Sequence, residues 1–264
     1  MLVVYSSSSE EEDSSNSQRD GEDACPAKKK SKVELPEKNS RLPLPHSVLN
    51  MFPDDLDPQT EDSSLHDGRI RSFKHERGNW ATYVYLPYNP VEEFTDILEE
   101  LVSVAKKHDI DLMPQEEFHL SLSQTVVLRH HWIQPFTQNL KAGLAHRRRF
   151  LCSARRLKVY CNAEKTRTFL GVEVSTGHTQ LLDMIKVVDK TMTDFRLETF
   201  YKDPSFHLSL AWCIGDLTVQ MNGCLKDLQS IMDSQEDGPF TLSLNCAELR
   251  CRTGNKVFCF PFES

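Results

Sequence analysis

The pattern of apolar and polar residues beyond Gly78 predicts short strands that alternate with amphipathic helices. Apolar residues that recur every three or four positions predict helices at residues 90–108, 132–149, 179–195 and 217–232. Runs rich in β-branched and aromatic side chains predict strands at residues 80–88, 116–127, 150–161, 168–174, 205–213, 240–252 and 256–260. The segment Thr253–Asn255 is typical of a hairpin turn between the last two strands.

This order of elements is typical of an α+β fold. Helices are interleaved with strands in a way that indicates two related halves of the chain. We therefore expect two pseudo-symmetric lobes with a central cleft, and each lobe is expected to contain a small antiparallel sheet flanked by helices.

One five-residue phrase occurs twice in the sequence. FHLSL is found at residues 118–122 and again at 206–210, so that His119 and His207 are 88 residues apart. Successive side chains of a strand point to opposite faces, and the Phe and Leu residues of each copy are therefore expected to face the core. The residues on the other face are His119, Ser121, His207 and Ser209, and these two polar faces are expected to line the cleft.

Two histidines that face one site suit general acid–base catalysis. Imidazole has an ordinary pKa of about 6.5, so one ring can accept a proton while the other donates one. This pairing matches attack of an RNA 2′-hydroxyl on the adjacent phosphodiester, which yields a 2′,3′-cyclic phosphate. Ser121 and Ser209 would donate hydrogen bonds to the non-bridging phosphate oxygens. The scheme requires no metal ion or cofactor, and the sequence has no obvious carboxylate cluster for a metal.

Composition separates the first part of the chain from the rest. Residues 1–75 are rich in Ser, Glu, Asp, Lys and Pro, which predicts a mostly disordered tail before a folded domain at residues 76–264. Within the tail, residues 6–13 form an acidic serine tract and residues 26–32 form a basic run that fits a nuclear-import signal.

The charge of the folded part argues against a protein that coats duplex nucleic acid. The chain has a net charge of −8, and residues 76–264 hold 24 acidic and 21 basic side chains. Coating a duplex requires a broad basic face, whereas a small site for one phosphate does not. A local basic cluster, which is also compatible with a solvated surface, comprises Arg147, Arg148, Arg149, Arg155, Arg156 and Lys158.

Cysteine usage and hydropathy indicate the cellular environment. The chain has eight cysteines, and none of them forms a CxxC or a paired zinc-binding spacing. We therefore expect a reducing compartment and no disulfides. No apolar run approaches the length of a membrane span, so we expect a soluble intracellular protein that does not use a membrane.

The paired H-x-S motifs resemble those of the two-histidine phosphoesterase superfamily. Within it, the chain is similar to the nuclear exoribonucleases that trim the 3′ end of U6 small nuclear RNA. The resemblance extends over about residues 40–264, and the stretches that carry it are HERGNWATYVY (75–85), FHLSLSQTVVLRHHW (118–132), EKTRTFLGVEV (164–174) and FYKDPSFHLSLAWCIGD (200–216).

This resemblance implies an enzyme that acts on the 3′ end of single-stranded RNA in the nucleus. Such an enzyme removes terminal uridines and adenosines in the 3′-to-5′ direction and leaves a 2′,3′-cyclic phosphate or a 3′-phosphate. It would support snRNA maturation and pre-mRNA splicing, and we expect it to be a monomer. The resemblance assigns catalysis to His119, Ser121, His207 and Ser209.

The resemblance also implies a set of substrate contacts. The base-stacking tyrosine of these enzymes falls on Tyr201, six residues before His207. An aromatic ring at this distance can stack on a base without selecting its identity. The other positions assigned to substrate binding are Leu120, Asn162, Ala163, Pro204 and Ser205.

Two other functions are compatible with the same residues. One is a cyclic-phosphate hydrolase that acts on small nucleotides, and the other is a non-catalytic module that binds RNA ends. Binding alone gives no reason for two titratable rings, because Lys or Arg would hold a phosphate at any pH. The two motifs are nearly identical and leave open which histidine is the base, although His119 is the preferred one.

Overall fold

A computed structural model of the chain describes residues 77–235 and 238–264. The predicted tail at residues 1–75, with its acidic tract and its basic run, lies outside the described residues. The described strands are β1 Asn79–Tyr88, β2 Met113–Pro114, β3 Phe118–Ser121, β4 Val126–Arg129, β5 Phe150–Cys161, β6 Arg167–Thr176, β7 His207–Ile214, β8 Leu242–Cys246, β9 Glu248–Thr253 and β10 Lys256–Pro261. The described helices are α1 Glu92–Lys107, α2 Ile133–Gly143, α3 His178–Asp194 and α4 Thr218–Asp233, with a 3₁₀ turn at His130–Trp132.

The strands form one antiparallel sheet in the order β10-β9-β1-β3-β7-β6-β5-β8, with β4 beside β1 and β2 beside β7. The first lobe contains β10, β9, β1, β3 and β4, and the second contains β7, β6, β5 and β8. The two lobes meet where Leu120 of β3 pairs with Leu208 of β7. The predicted α+β class with helices around antiparallel strands is confirmed, and the sheets of the two lobes are continuous through this pair.

The two lobes do not correspond to the two halves of the chain. Residues 240–252 are predicted as one strand, but β8 pairs with β5 in the second lobe, whereas β9 pairs with β1 in the first. The chain changes lobe at Ala247, whose N–H bonds to the carbonyl of Asn245 and whose carbonyl accepts from Phe262. The predicted hairpin between β9 and β10 is confirmed, and Gly254 in its turn has a φ of 56° and lies against the Trp80 ring.

The strand predicted at 116–127 is interrupted. Both β3 and β4 pair with β1, but three steps along β1, from Thr82 to Tyr85, oppose five steps from Ser121 to Val126. The extra length is accommodated by Ser123, whose buried hydroxyl accepts the main-chain N–H of Val84 at 2.9 Å. The interruption ends β3 directly after the histidine–serine pair.

The core lies on the face of the sheet that carries the leucines of both FHLSL copies. Leu120, Leu122, Leu208 and Leu210 are all buried, in agreement with the predicted alternation. The helices pack in two pairs, α1 with α4 and α2 with α3. Each pair inserts its apolar stripe, which includes Leu101 in α1, into one continuous core.

The described residues include no helix that is long and apolar enough to cross a membrane. Seven cysteines lie in the described part of the chain, and all are free thiols. The sulfur atoms of Cys152 and Cys246 are 4.0 Å apart in the core of the second lobe.

Replacing Leu208 by alanine should destabilise the whole sheet, because this fully buried side chain lies at the junction of the lobes. Buried Leu→Ala changes cost about 2–5 kcal/mol of unfolding free energy. The matched control is Leu151→Ala, which truncates a side chain that is 66% exposed, and it should change stability by about 0.5 kcal/mol or less. Urea unfolding of both variants measures the difference, and equal losses would contradict the assigned role of the junction.

Candidate active site

The pairing of β3 with β7 brings the two motifs side by side. Because the strands are antiparallel and Leu120 is opposite Leu208, one step in each direction puts His119 opposite Ser209 and Ser121 opposite His207. All four side chains are half-buried on the face that is turned away from the core. The structure therefore brings the four predicted catalytic residues together in a crossed arrangement of two histidines and two serines.

The His207 ring is held by the main chain of Ser205 and by an aromatic ring. Its Nδ1 lies 2.7 Å from the carbonyl oxygen of Ser205, which can only accept, so Nδ1 carries the proton. The Nε2 atom of the neutral ring is then the basic nitrogen. The imidazole stacks on Tyr160 with ring centroids 3.6 Å apart and planes at 16°.

Gly171 makes room for this stack. This glycine lies on β6, opposite Ser209 of β7. A Cβ at position 171 would be 3.1 Å from the Tyr160 ring and 3.3 Å from the His207 ring. It would also be 3.1 Å from the carbonyl oxygen of Leu208, which cannot move without disturbing the strand. A side chain at position 171 would therefore crowd the contact between Tyr160 and the histidine.

His119 is held in a comparable way by different residues. Its ring is hydrogen-bonded to the backbone of Glu117, two positions earlier, as His207 is to Ser205. The rings of Tyr83 and Tyr85 lie beside it, with centroid distances of 5.7 and 5.1 Å and tilted planes.

An ion pair lies close to each histidine. In the second lobe, Lys158 Nζ donates to Glu173 Oε1 at 2.6 Å. In the first lobe, one terminal nitrogen of Arg252 contacts both carboxylate oxygens of Glu117, at 2.9 and 2.7 Å. The negative charge of each carboxylate is thus balanced by a cationic side chain close to the neighbouring histidine ring.

Burial lowers the pKa of both His119 and His207 below the ordinary value of 6.5. For His119 the opposing influences are the Glu117 charge and backbone, which favour the imidazolium. For His207 the hydrogen bond to Ser205 raises the pKa, while the Lys158 charge lowers it. Both rings are therefore mainly neutral at pH 7 in the free protein, and each can accept a proton.

Two of the predicted substrate positions line a cavity beside His207. Pro204 and Ser205 form its wall together with Lys158 and Glu173, and the volume is about 340 Å³. Tyr201 is 61% exposed and contacts the edge of Phe200, with centroids 5.1 Å apart. Its outer surface is accessible to a stacking base.

The other predicted substrate positions are not at the histidines. The Leu120 side chain is fully buried on the core face, so a substrate contact from this residue is limited to its main chain. The Asn162 amide closes the β5–β6 turn by bonding Thr166 and Arg167, and Ala163 lies in the same turn. Arg167, at the end of this turn, lies six residues along β6 from the partner of His207, or roughly 20 Å at strand spacing.

Several residues of the site are absent from the set predicted by sequence. Tyr83, Tyr85, Tyr160, Glu173 and Arg252 lie on strands that the pattern predicted, but no repeated phrase marks them. Alternation puts Lys158 and Tyr160 of KVY (158–160) on one face of β5, and it puts Tyr83 and Tyr85 of TYVY (82–85) on one face of β1. The sequence could therefore predict which face of its strand each residue occupies. It could not predict which strands would lie next to one another.

His130 and His131 lie outside this site. They form the 3₁₀ turn before α2, where both are exposed and contact Trp80 and Trp132 respectively. No three His, Cys, Asp or Glu side chains within residues 77–235 and 238–264 are grouped closely enough to hold a metal ion.

A two-lobed antiparallel sheet that places two H-x-S strands side by side is the arrangement expected from the resemblance to two-histidine phosphoesterases. The model of the HVSL family, described as an uncharacterised conserved protein, matches residues 42–261. The chain is 60% identical over 224 residues to U6 snRNA phosphodiesterase 1 of Danio rerio. The aligned region covers 84% of this chain and 81% of the relative. The corresponding human protein is 52% identical over 224 residues, 84% of each chain. The chain therefore belongs to the HVSL family and, with these relatives, to the U6 snRNA phosphodiesterase 1 family.

The fold has a counterpart among solved structures. Kluyveromyces marxianus Usb1 with uridine monophosphate superposes with a TM-score of 0.50 at 15% sequence identity, over 69% of this chain and 98% of that chain. At this identity the comparison supports the fold, and the arrangement of the site rests on the contacts described above.

Titration should detect the burial of the two histidines. We expect the ring signals of His119 and His207 to titrate below pH 6.5 in an NMR experiment, because burial disfavours their charged forms. Between the folded and unfolded pKa values, the unfolded chain binds more protons, so these residues contribute stability that is lost as the pH falls below 6.5. A ring that titrates above this value would contradict the described environment.

Proposed function

We propose that this phosphodiesterase is a 3′-to-5′ exoribonuclease that trims the 3′ end of U6 small nuclear RNA by 2′-hydroxyl transesterification without a metal ion. The single observation that carries the proposal is the juxtaposition of His119 and His207 on paired strands, each with a ring nitrogen bound to the backbone two residues before it. This arrangement leaves one nitrogen of each ring available to a phosphodiester in the cleft.

The reaction moves two protons in opposite directions across one phosphate. One histidine takes the proton of the penultimate 2′-hydroxyl, and O2′ forms a bond to phosphorus. The bond between phosphorus and the terminal O5′ breaks, and the other histidine gives a proton to O5′. The products are a terminal nucleoside and an RNA whose new end is a 2′,3′-cyclic phosphate. Acid–base catalysis of this kind supplies about 10²–10⁴-fold in rate.

The acid role requires one ring to be protonated in the complex. Both rings are mainly neutral in the free protein, but the negative charge of a bound phosphodiester favours the imidazolium and raises the pKa. Binding of the substrate would thus favour protonation of the ring that acts as the acid, while the other ring stays neutral and acts as the base. In this proposal His119 is the preferred base.

Ser121 and Ser209 are proposed to stabilise the charge on the non-bridging oxygens. Each serine is opposite the histidine of the other lobe, so a phosphate between the rings would be reached by both hydroxyls. Preorganised donors of this type act where charge develops in the transition state.

The RNA substrate is supported by the relatives and by the shape of the site. The curated relatives are named for phosphodiester cleavage in U6 snRNA, and the yeast structural relative was solved with uridine monophosphate. In the proposal Tyr201 stacks on a base of the single-stranded 3′ end, with Pro204 and Ser205 beside it. Asn162 and Ala163 lie in the β5–β6 turn and in this proposal would contact a neighbouring nucleotide.

The cellular role follows from this substrate. Maturation of U6 RNA supports pre-mRNA splicing, so we place the activity in the nucleus, carried out by a monomer. Residues 76–264 are proposed as the catalytic domain and residues 1–75 as an accessory tail.

A labelled oligouridylate incubated with the protein in EDTA should be shortened in a ladder from its 3′ end. The matched substrate carries a 2′-deoxy sugar at the penultimate position, and it should not be cleaved there because the attacking hydroxyl is missing. Gel electrophoresis resolves the products, and phosphatase treatment reports the terminal cyclic phosphate. Activity that requires Mg²⁺ or ignores the deoxy substitution would contradict the mechanism. Faster turnover of free nucleoside 2′,3′-cyclic phosphates would favour a small-nucleotide hydrolase instead.

His119→Ala and His207→Ala should each reduce turnover by about 10²–10⁴-fold, because each variant lacks one proton carrier. Binding of the oligouridylate, measured by fluorescence anisotropy, should persist in both. His131→Ala is the control, since this exposed histidine lies in the turn before α2. Near-normal rates in either active-site variant would contradict the assignment of that histidine as a proton carrier.

A further inference from the structure

Glu173 and Lys158 form a closed triangle of contacts with Ser205. Lys158 Nζ donates to Glu173 Oε1 at 2.6 Å and to Ser205 Oγ at 3.0 Å. The Ser205 hydroxyl in turn donates to the same Glu173 oxygen at 2.9 Å. Tyr160 closes the other side, with its hydroxyl 3.1 Å from Ser205 Oγ. The Ser205 side chain is thus engaged by three neighbours from two strands.

Ser205 is the residue that sets the orientation of His207. Its carbonyl oxygen accepts the Nδ1 proton at 2.7 Å, and the Tyr160 ring lies flat against the imidazole. A shift of Ser205 would therefore change both the tautomer and the plane of the catalytic ring.

We propose that Glu173 is a positioning residue for His207, which acts with Lys158 through Ser205 to hold the imidazole with its Nε2 towards the scissile phosphate. This inference rests on the proposed function, because it assigns a purpose to the orientation of a catalytic ring. Glu173 is opposite His207 in the β6–β7 register, so the carboxylate and the ring share one rung of the sheet.

The first lobe repeats this design with different residues. There the residue two positions before the histidine is Glu117, whose backbone bonds the ring and whose carboxylate is held by Arg252. Tyr83 lies against the ring and is hydrogen-bonded to Arg252, as Tyr160 is to Ser205. Two unrelated sets of side chains thus serve the same geometric purpose at the two histidines.

The charges around His207 make the inference testable through its titration. The titratable groups that surround the ring or its ion pair come from several elements: His119, Lys158, Tyr160, Glu173, His178 and Asp203. Of these, Glu173 raises the pKa of His207 and Lys158 lowers it. Removing one member of the ion pair should therefore shift the histidine in the opposite direction from removing the other.

The first experiment measures the His207 ring by ¹⁵N NMR in the full chain without RNA. Glu173→Gln keeps the hydrogen-bond acceptor for Ser205 but removes the negative charge, so the pKa of His207 should fall below the wild-type value. Lys158→Met leaves the Glu173 charge unbalanced, so the pKa should rise. Shifts of both variants in the same direction, or no shift in either, would overturn the proposal.

The second experiment separates positioning from folding. Glu173→Ala removes the acceptor itself, and kcat on the oligouridylate should fall by about 10- to 100-fold with KM little changed. Glu173→Gln should retain most of the wild-type kcat at its own pH optimum. Asp194→Asn is the matched control, because it removes the carboxylate of an exposed ion pair with Lys190 on α3. This variant should leave activity unchanged. A wild-type kcat in Glu173→Ala would refute the positioning role.

The pH–rate profile of Glu173→Gln also addresses the division of labour between the histidines. The limb that His207 controls should move to lower pH while the other limb stays. Movement of the acidic limb identifies His207 as the base, and movement of the basic limb identifies it as the acid. Loss of all cleavage in EDTA by the wild type would reject the proposed function, whereas the NMR shifts would still test the network by itself.

Discussion

The pairing of Leu120 with Leu208 is the constraint on which the rest of this structure depends. It is the point at which the two lobes become one sheet, and both leucines are fully buried. Because side chains alternate along a strand, burying these two residues forces His119, Ser121, His207 and Ser209 onto the opposite face. A slip of one residue in either strand would send a histidine into the core. The hydrophobic effect therefore fixes the register, and the register brings the two histidines and the two serines together.

A second layer of side chains converts this register into defined ring orientations. In each lobe a main-chain group two residues before the histidine binds the ring, and an ion pair and a tyrosine hold that segment. The lobes differ in detail, since Tyr160 stacks flat on His207 whereas Tyr83 is tilted against His119. Such differences supply an asymmetry that the two identical FHLSL phrases lack. This surrounding layer therefore makes the environments of the two histidines unequal.

The sequence was sufficient for the parts of the fold that depend on local alternation. The faces of both FHLSL strands, the four helices and the Gly254 hairpin follow from periodicity and turn chemistry. It was insufficient where the answer depends on which strands become neighbours. Pairing of Thr82 with Thr253 joins distant parts of the chain, and no local pattern encodes it. The contributions of Arg252 and Glu173 to the site were missed for the same reason, because Glu173 lies on the strand beside His207 and Arg252 lies two strands from His119.

The electrostatics of the site show why the histidines are only partly withdrawn from water. Burial lowers the pKa of both rings, whereas the main-chain acceptors at Glu117 and Ser205 raise it. If burial acted alone, neither ring would readily take a proton near neutral pH, and an acid would be missing. With the acceptor in place, the proton on Nδ1 is fixed and the charge of a bound phosphate can stabilise the imidazolium. The half-buried face of a sheet provides both conditions, because its main chain runs beside each ring while its open side admits the RNA.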